Sequence, residues 1–155
     1  MRIVVDTNVL LSGFISRESY PANVIDSWIA KNFEPTVSSE IIQEYCEVMV
    51  RDKFSALGTT EERLNLIHMM LSFEHVVLVD PKEKICLIED DPKDNIFIEC
   101  ALAGECKFIV SGDHHLLKLK EYKDIKIVTA KEFINTLQLR GRNFGSTIIK
   151  PLNKR

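Results

Sequence analysis

The sequence has no apolar run approaching the ~20 residues that a membrane-spanning helix needs, which argues against a chain crossing a bilayer as helices. It has no positively charged n-region, apolar h-region and cleavage site at its start, so no secretory leader is expected and a cytoplasmic location is. It has no C-x-x-C pair. Its four cysteines, Cys46, Cys86, Cys100 and Cys106, sit in apolar segments and are expected to be buried, reduced thiols, neither disulfides nor zinc ligands. No G-x-G-x-x-G follows the first strand-like segment, which excludes a dinucleotide-binding fingerprint. Internal repeats and low-complexity stretches are absent too.

What is present is an ordinary globular composition, 45% hydrophobic and 28% charged over 155 residues, enough for one domain with a real core. The net charge of −3 hides an asymmetry. Residues 139–155 carry five basic side chains (Arg140, Arg142, Lys150, Lys154, Arg155) and no acid, so residues 1–138 hold 15 basic and 23 acidic groups, a balance of −8. An acidic body is not a general phosphate-binding surface. It suits a body that gathers carboxylates around divalent cations, with a basic extension either lending positive charge or simply remaining solvated. The expected division is therefore 1–138 as the domain and 139–155 as the extension.

Short β-branched runs alternate with amphipathic ones. Strands are expected at Arg2 to Asp6, Phe33 to Val37, His75 to Val79, Lys107 to Val110 and Ile125 to Val128. Helices are expected from Asn8 to Ser16, Pro21 to Lys31, Ser38 or Ser39 to Arg51, Thr59 (opening a capping box with Glu62) to Ser72, Lys93 to Gly104, Asp113 to Leu119 and Ala130 to Leu139. This order implies an α/β fold, a three-layer α/β/α sandwich around a parallel five-stranded sheet. Ligands of such sheets gather beyond the carboxyl ends of the strands. Asp6 ends the first strand there, and Ser111-Gly112-Asp113 ends the fourth, with Gly112 expected to permit the sharp turn.

The acids at that edge have plain structural readings. Asp6 and Asp113 are each placed to cap a following helix. Glu40, Glu44 and Glu47 form one helical stripe beside the apolar face, and spacing alone does not choose among them. Asp90, Asp91 and Asp94 open a helix whose dipole favours acids, with Asp94 one turn in and followed by an almost wholly apolar segment. Brought into one pocket without Lys or Arg, such carboxylates stay ionised only around a cation. An all-oxygen ligand set selects Mg2+ or Mn2+, whose chemistry serves phosphodiester hydrolysis.

Four segments, Val4-Val5-Asp6-Thr7-Asn8-Val9-Leu10, Ser39-Glu40-Ile41-Ile42-Gln43-Glu44-Tyr45, Asp94-Asn95-Ile96-Phe97-Ile98-Glu99-Cys100-Ala101 and Ile109-Val110-Ser111-Gly112-Asp113, together resemble the PIN domain, most closely its VapC-like toxin branch. The resemblance runs in order over residues 1 to about 138 and says nothing of the extension. It implies a metal-dependent endoribonuclease whose acidic quartet falls on Asp6, Glu44, Asp94 and Asp113, with Asn8 and Ser111 at the accompanying positions that place water and substrate. It is the resemblance that selects Glu44 from its stripe. It further implies Mg2+ or Mn2+ as cofactor, RNA as substrate, a small antitoxin as partner, and an assembly compatible with a homodimer or higher oligomer.

Other features are weaker. His114-His115 reads as a metal or phosphate ligand, or as exposed loop histidines. Lys118 and Lys120 read as phosphate contacts or ordinary surface lysines. Phe14, Phe33, Phe54, Phe73 and Phe108 are spaced as core residues and not as a base-stacking platform. A haloacid-dehalogenase-like phosphatase needs a second Asp two residues after the first, where this chain has Asn8. The rival of a different class is a PIN-like binding or scaffold protein that no longer cleaves RNA.

Overall fold

The computed structural model describes residues 1–89 and 92–143. Asp90, Asp91 and the extension from 144 onward, with Lys150, Lys154 and Arg155, lie outside the described residues. Among the described residues no helix is long and apolar enough to cross a membrane.

The chain begins with strand β1 (Arg2–Val5), then helices α1 (Thr7–Ile15) and α2 (Tyr20–Ile29), strand β2 (Glu34–Val37), helix α3 (Ser39–Met49) and a 3-10 segment at Asp52–Leu57. Helix α4 (Thr60–Leu71), strand β3 (Val77–Leu78), a 3-10 turn at Pro92–Asp94, helix α5 (Asn95–Ala103) and strand β4 (Phe108–Val110) follow. Helix α6 (His114–Leu117), strands β5 (Glu121–Tyr122) and β6 (Ile125–Val128), and helix α7 (Ala130–Asn143) complete it.

Local chemistry accounts for the boundaries. Ser19 caps α2 by accepting from the Ala22 N–H, and Ser38 does the same for α3 at Ile41. Thr59 and Glu62 form the expected capping box of α4. The end of α3 is met by a buried cation: the Arg63 guanidinium donates at 3.0 Å each to the Met49 carbonyl, the last of the helix, and to the Arg51 carbonyl just beyond it, where a positive group also complements the helix dipole.

The sheet has order β3-β2-β1-β4-β6-β5, parallel throughout except where β5 pairs antiparallel with β6. Among the described residues it has six strands, one more than expected. The extra one, β5, is only two residues long and lacks the periodicity of a buried strand. It forms because Lys123 and Asp124 both take positive φ (46° and 66°), the backbone of a tight turn that matches strand twist. Of the two glycines read from the sequence, Gly104 ends α5 as its C-cap, with φ −88°, while the left-handed residue is Glu105 after it. Glycine is needed at position 104 because a Cβ would meet Thr36 Cγ2 at 2.7 Å. Gly112 has no positive φ, and a Cβ there would meet open space.

Helices flank the sheet, with α1, α2 and α7 packed in sequence on one another and α5 against β1, β2 and β4. An aromatic cluster joins the layers: Phe33 meets Trp28 and Phe133 edge-on, at centroid distances of 6.2 and 5.3 Å. The expected phenylalanines are all in or against this core. All four cysteines are free, but Cys86 is exposed, against expectation, because it lies on an irregular strap before α5. Burial pushes the Cys106 thiol up to about 11, and Cys100 higher still, so neither is a nucleophile. Helix α7 continues past Leu139 to Asn143.

Candidate active site

Strand order reverses between β1 and β4. Chain connections leave β1 toward β2 and β3 on one side, and the other half of the sheet begins at β4. Such a point leaves a crevice beyond the carboxyl ends of the two strands. Asp6 follows β1 and Ser111 follows β4, and the Asp6 N–H donates to the Val110 carbonyl at 2.9 Å, so the sheet itself fixes the pair.

Asp6 is buried, 4% exposed, and its carboxylate makes no capping bond to α1. It accepts instead from Ser111 Oγ at 2.6 Å, and Ser111 Oγ accepts from the Asp113 N–H at 3.0 Å. One wholly buried hydroxyl thus ties the Asp6 carboxylate to the Asp113 backbone. Burial pushes the Asp6 carboxyl up to about 6; the Ser111 bond opposes the rise, and the charges of Glu44 and Asp113 add to it. The half-buried Asp113 does cap its helix, accepting from the His115 N–H at 2.7 Å through Oδ1.

Glu44 reaches the same place from α3. Thr7, the first residue of α1, donates its hydroxyl to Glu44 Oε2. One residue further along, buried Tyr45 donates its hydroxyl to the Val5 carbonyl at 2.5 Å, pinning α3 to the end of β1. Of the three acids in the stripe, Glu40 and Glu47 are exposed, and Glu47 is occupied by Gln43 Nε2. Tyr45 and Thr7 were not singled out as positioning residues by sequence reasoning. The available signal was that a tyrosine in an apolar stripe must still place its hydroxyl on a partner.

Asp94 stands at the end of the 3-10 turn, immediately before α5 and not one turn inside it, because Pro92 opens a tighter turn first. It is 7% exposed and makes no capping bond. Two further residues of α5 set its approach. Asn95 Oδ1 accepts from the Leu87 and Ile88 N–H groups while its Nδ2 donates to the Ile88 and Pro92 carbonyls. Glu99 accepts from the Ile85 N–H at 3.1 Å. Both buried side chains therefore bind the strap that enters α5, a role their sequence positions did not reveal. The charges acting on Asp6 come from Glu44 and Asp113; α5 packs against both β1 and α3, the elements that present Asp6 and Glu44.

Among the described residues none of Asp6, Glu44 and Asp113 forms an ion pair. Asn8 is exposed on the first turn of α1, whereas Ser111 is fully enclosed. Beside Glu44 lies a groove of about 230 Å3 lined by Glu40 and Glu47 as well as by Arg51 and Lys93. Lys118 and Lys120 are exposed. His114 is exposed and His115 half-buried, their rings 4.0 Å apart.

A sequence model described as PIN domain matches residues 2–115, most of the chain and all four acids. The chain is also 24% identical over 147 residues to the "Uncharacterized protein MJ1680" of Methanocaldococcus jannaschii, covering 89% of this chain and 92% of that one.

Proposed function

Because the chain belongs to the PIN domain family, we propose that it is a metal-dependent endoribonuclease whose acid cluster is Asp6, Glu44, Asp94 and Asp113. The observation that carries this reading is Asp6: a buried carboxylate facing two more carboxylates, with a hydroxyl and no basic group as its hydrogen-bond partner. Such a donor set is costly without a cation and well suited to one, and its oxygen-only chemistry fits Mg2+ or Mn2+. When bound, the cation supplies Lewis acidity toward a phosphodiester.

The chain's own residues divide the remaining work. Asp6, Asp94 and Asp113 hold the cation. Ser111 fixes the Asp6 carboxylate and the Asp113 backbone, so it positions ligands and does not touch RNA. Glu44 is held through Oε2 by Thr7 and orients the attacking water through Oε1. Asn8, exposed at the lip, places the scissile phosphate. Arg51 and Lys93 draw the RNA backbone along the groove beside Glu44.

We further read the protein as the toxin of a toxin–antitoxin pair. Support comes from the motif resemblance and from Asp6, Glu44 and Asp113, none of which forms an ion pair among the described residues, so that a small antitoxin inserting an Arg or Lys would meet unneutralised carboxylates. Recovery of a small basic protein with this chain from its native host is the expected outcome; repeated recovery of none contradicts the toxin reading alone.

The ribonuclease reading is tested by incubating single-stranded and structured RNAs with the protein in Mg2+ or Mn2+, beside Asp6→Asn and Asp94→Asn. Cleavage by the parent protein, lost in both variants, is expected. Uncut RNA under every condition would instead favour a binding or scaffold protein.

A further inference from the structure

We propose that Asp113, His114 and His115 form a second metal site, one that takes a transition ion such as Zn2+ or Co2+ and shares Asp113 with the acid cluster. A ligand atom from each of the three residues lies within 4.8 Å of the other two. Ligands bonded to one ion at about 2.0–2.2 Å sit closer together than this, and small side-chain rotations close the difference. The two imidazole rings lie partly stacked, with centroids 4.0 Å apart and planes tilted by 37°, so their in-plane lone pairs meet at one ion after a rotation of the rings. Adjacent residues on a helix ordinarily diverge, so this proximity is a specific feature of the first turn of α6.

The backbone accounts for part of the proximity. The His115 N–H donates to Asp113 Oδ1 at 2.7 Å, which folds the carboxylate back over the turn that carries both histidines. His115 also lines a concavity of about 220 Å3 together with Glu89 and Lys118, so its ring borders open space on the side away from Asp113 and His114, which do not line it. Two imidazoles and one carboxylate are a softer set than the oxygen-only cluster. They favour Zn2+, Co2+, Ni2+ or Fe2+ and offer little to Mg2+, which prefers oxygen and retains its waters.

The inference rests on the proposed function only where Asp113 is counted in both sites; the imidazole pair stands apart from it. The consequence is that a transition ion at this site engages a carboxylate that also acts on Asp6. Transition ions would thereby compete with Mg2+ for one ligand while binding at a different place.

The test uses the full chain without an added histidine tag. Zn2+ and Mg2+ binding are measured by calorimetry on the parent protein, His114→Gln, His115→Gln, Asp6→Asn and the control His68→Gln. Loss of either imidazole is expected to weaken Zn2+ binding at least about tenfold, the lower range seen even for outer-shell ligand partners, while His68→Gln leaves it unchanged. Asp6→Asn should retain Zn2+ binding and lose Mg2+ binding. In the unaltered protein, added Co2+ should shift the ring proton resonances of His114 and His115 ahead of those of His68 and His75, a readout that needs no variant to fold. Equal Zn2+ affinity in the parent and both histidine variants, or Co2+ shifts that spare His114 and His115, overturns the proposal. RNA cleavage in Mg2+ alone tests the nuclease reading separately, so either can fail without the other.

Discussion

Ser111 Oγ donates to Asp6 Oδ2 across 2.6 Å and accepts from the Asp113 N–H across 3.0 Å, so one buried hydroxyl ties the Asp6 carboxylate to the Asp113 backbone. Ser111→Ala removes both bonds and leaves a buried carboxylate with less support. A loss of about 1–3 kcal/mol in urea unfolding is expected. The Ser111 bond is the larger of the two hydrogen bonds that oppose the upward push on Asp6, the other coming from the Asn8 backbone, so the acid limb of the cleavage–pH profile should move to higher pH. An unchanged acid limb would show that Asp6 is held by other means.

Asp6 predicts an inverse relation between stability and activity. Its carboxyl is raised from 3.8 to about 6 on folding, so the folded state binds that proton more tightly than the unfolded state does. The group's stabilising contribution is therefore present below about pH 4, shrinks as pH rises toward 6, and is absent above. Counted from the protonated protein, that same loss amounts to about 3 kcal/mol by pH 7.5. Asp6→Asn should gain about 1–3 kcal/mol over the parent in EDTA at pH 7.5 and less at pH 4, while losing cleavage. Urea unfolding at the two pH values reads the difference; a variant less stable at pH 7.5 than at pH 4, relative to the parent, contradicts it.

Tyr45 is a positioning residue whose hydroxyl holds α3 to the carbonyl of Val5. Tyr45→Phe keeps the packing and deletes that bond, with an expected cost of about 1 kcal/mol. Because Glu44 is the next residue on the same helix, kcat should fall by about tenfold or more with KM for RNA nearly constant. A purely structural role would lower the melting temperature and leave kcat intact.

The placement of several candidate-site residues was legible in the sequence, and the reasons differ by residue. Asp6 and Asp113 follow from strand ends, since a parallel sheet places its crevice there whatever the family. Strand β6 and the capping box at Thr59 were readable because β-branched runs and capping chemistry act locally. Strand β5 was not, because two residues carry no periodicity and the turn depends on positive φ at Lys123 and Asp124. The choice of Glu44 over Glu40 and Glu47 needed the motif resemblance. In three dimensions it has a local cause, the Thr7 hydroxyl, which lies 37 residues away in the chain. The strap contacts of Asn95 and Glu99 were hidden for the same reason: their partners are backbone groups of an irregular segment.

Cation binding should be visible as stability before any RNA is added. At a free Mg2+ or Mn2+ concentration 100-fold above Kd, linkage adds about 2.7 kcal/mol. For a chain of this size that corresponds to a rise of about 5–10 °C in melting temperature. The rise should vanish in Asp6→Asn and on adding EDTA. Identical melting curves for the parent protein with and without divalent cation would remove the metal from the account.

The most direct measurement compares RNA cleavage by the parent protein, Glu44→Gln and Glu47→Gln in Mn2+ and in EDTA. Both variants remove one charge from the same helical stripe, but only Glu44 is tied to Thr7 and acts on Asp6. The account predicts metal-dependent cleavage by the parent, a loss of about 10²–10⁴-fold in Glu44→Gln, and a rate within about twofold of the parent in Glu47→Gln. Cleavage that persists in EDTA, or a Glu44→Gln variant that cuts as fast as Glu47→Gln, would contradict it.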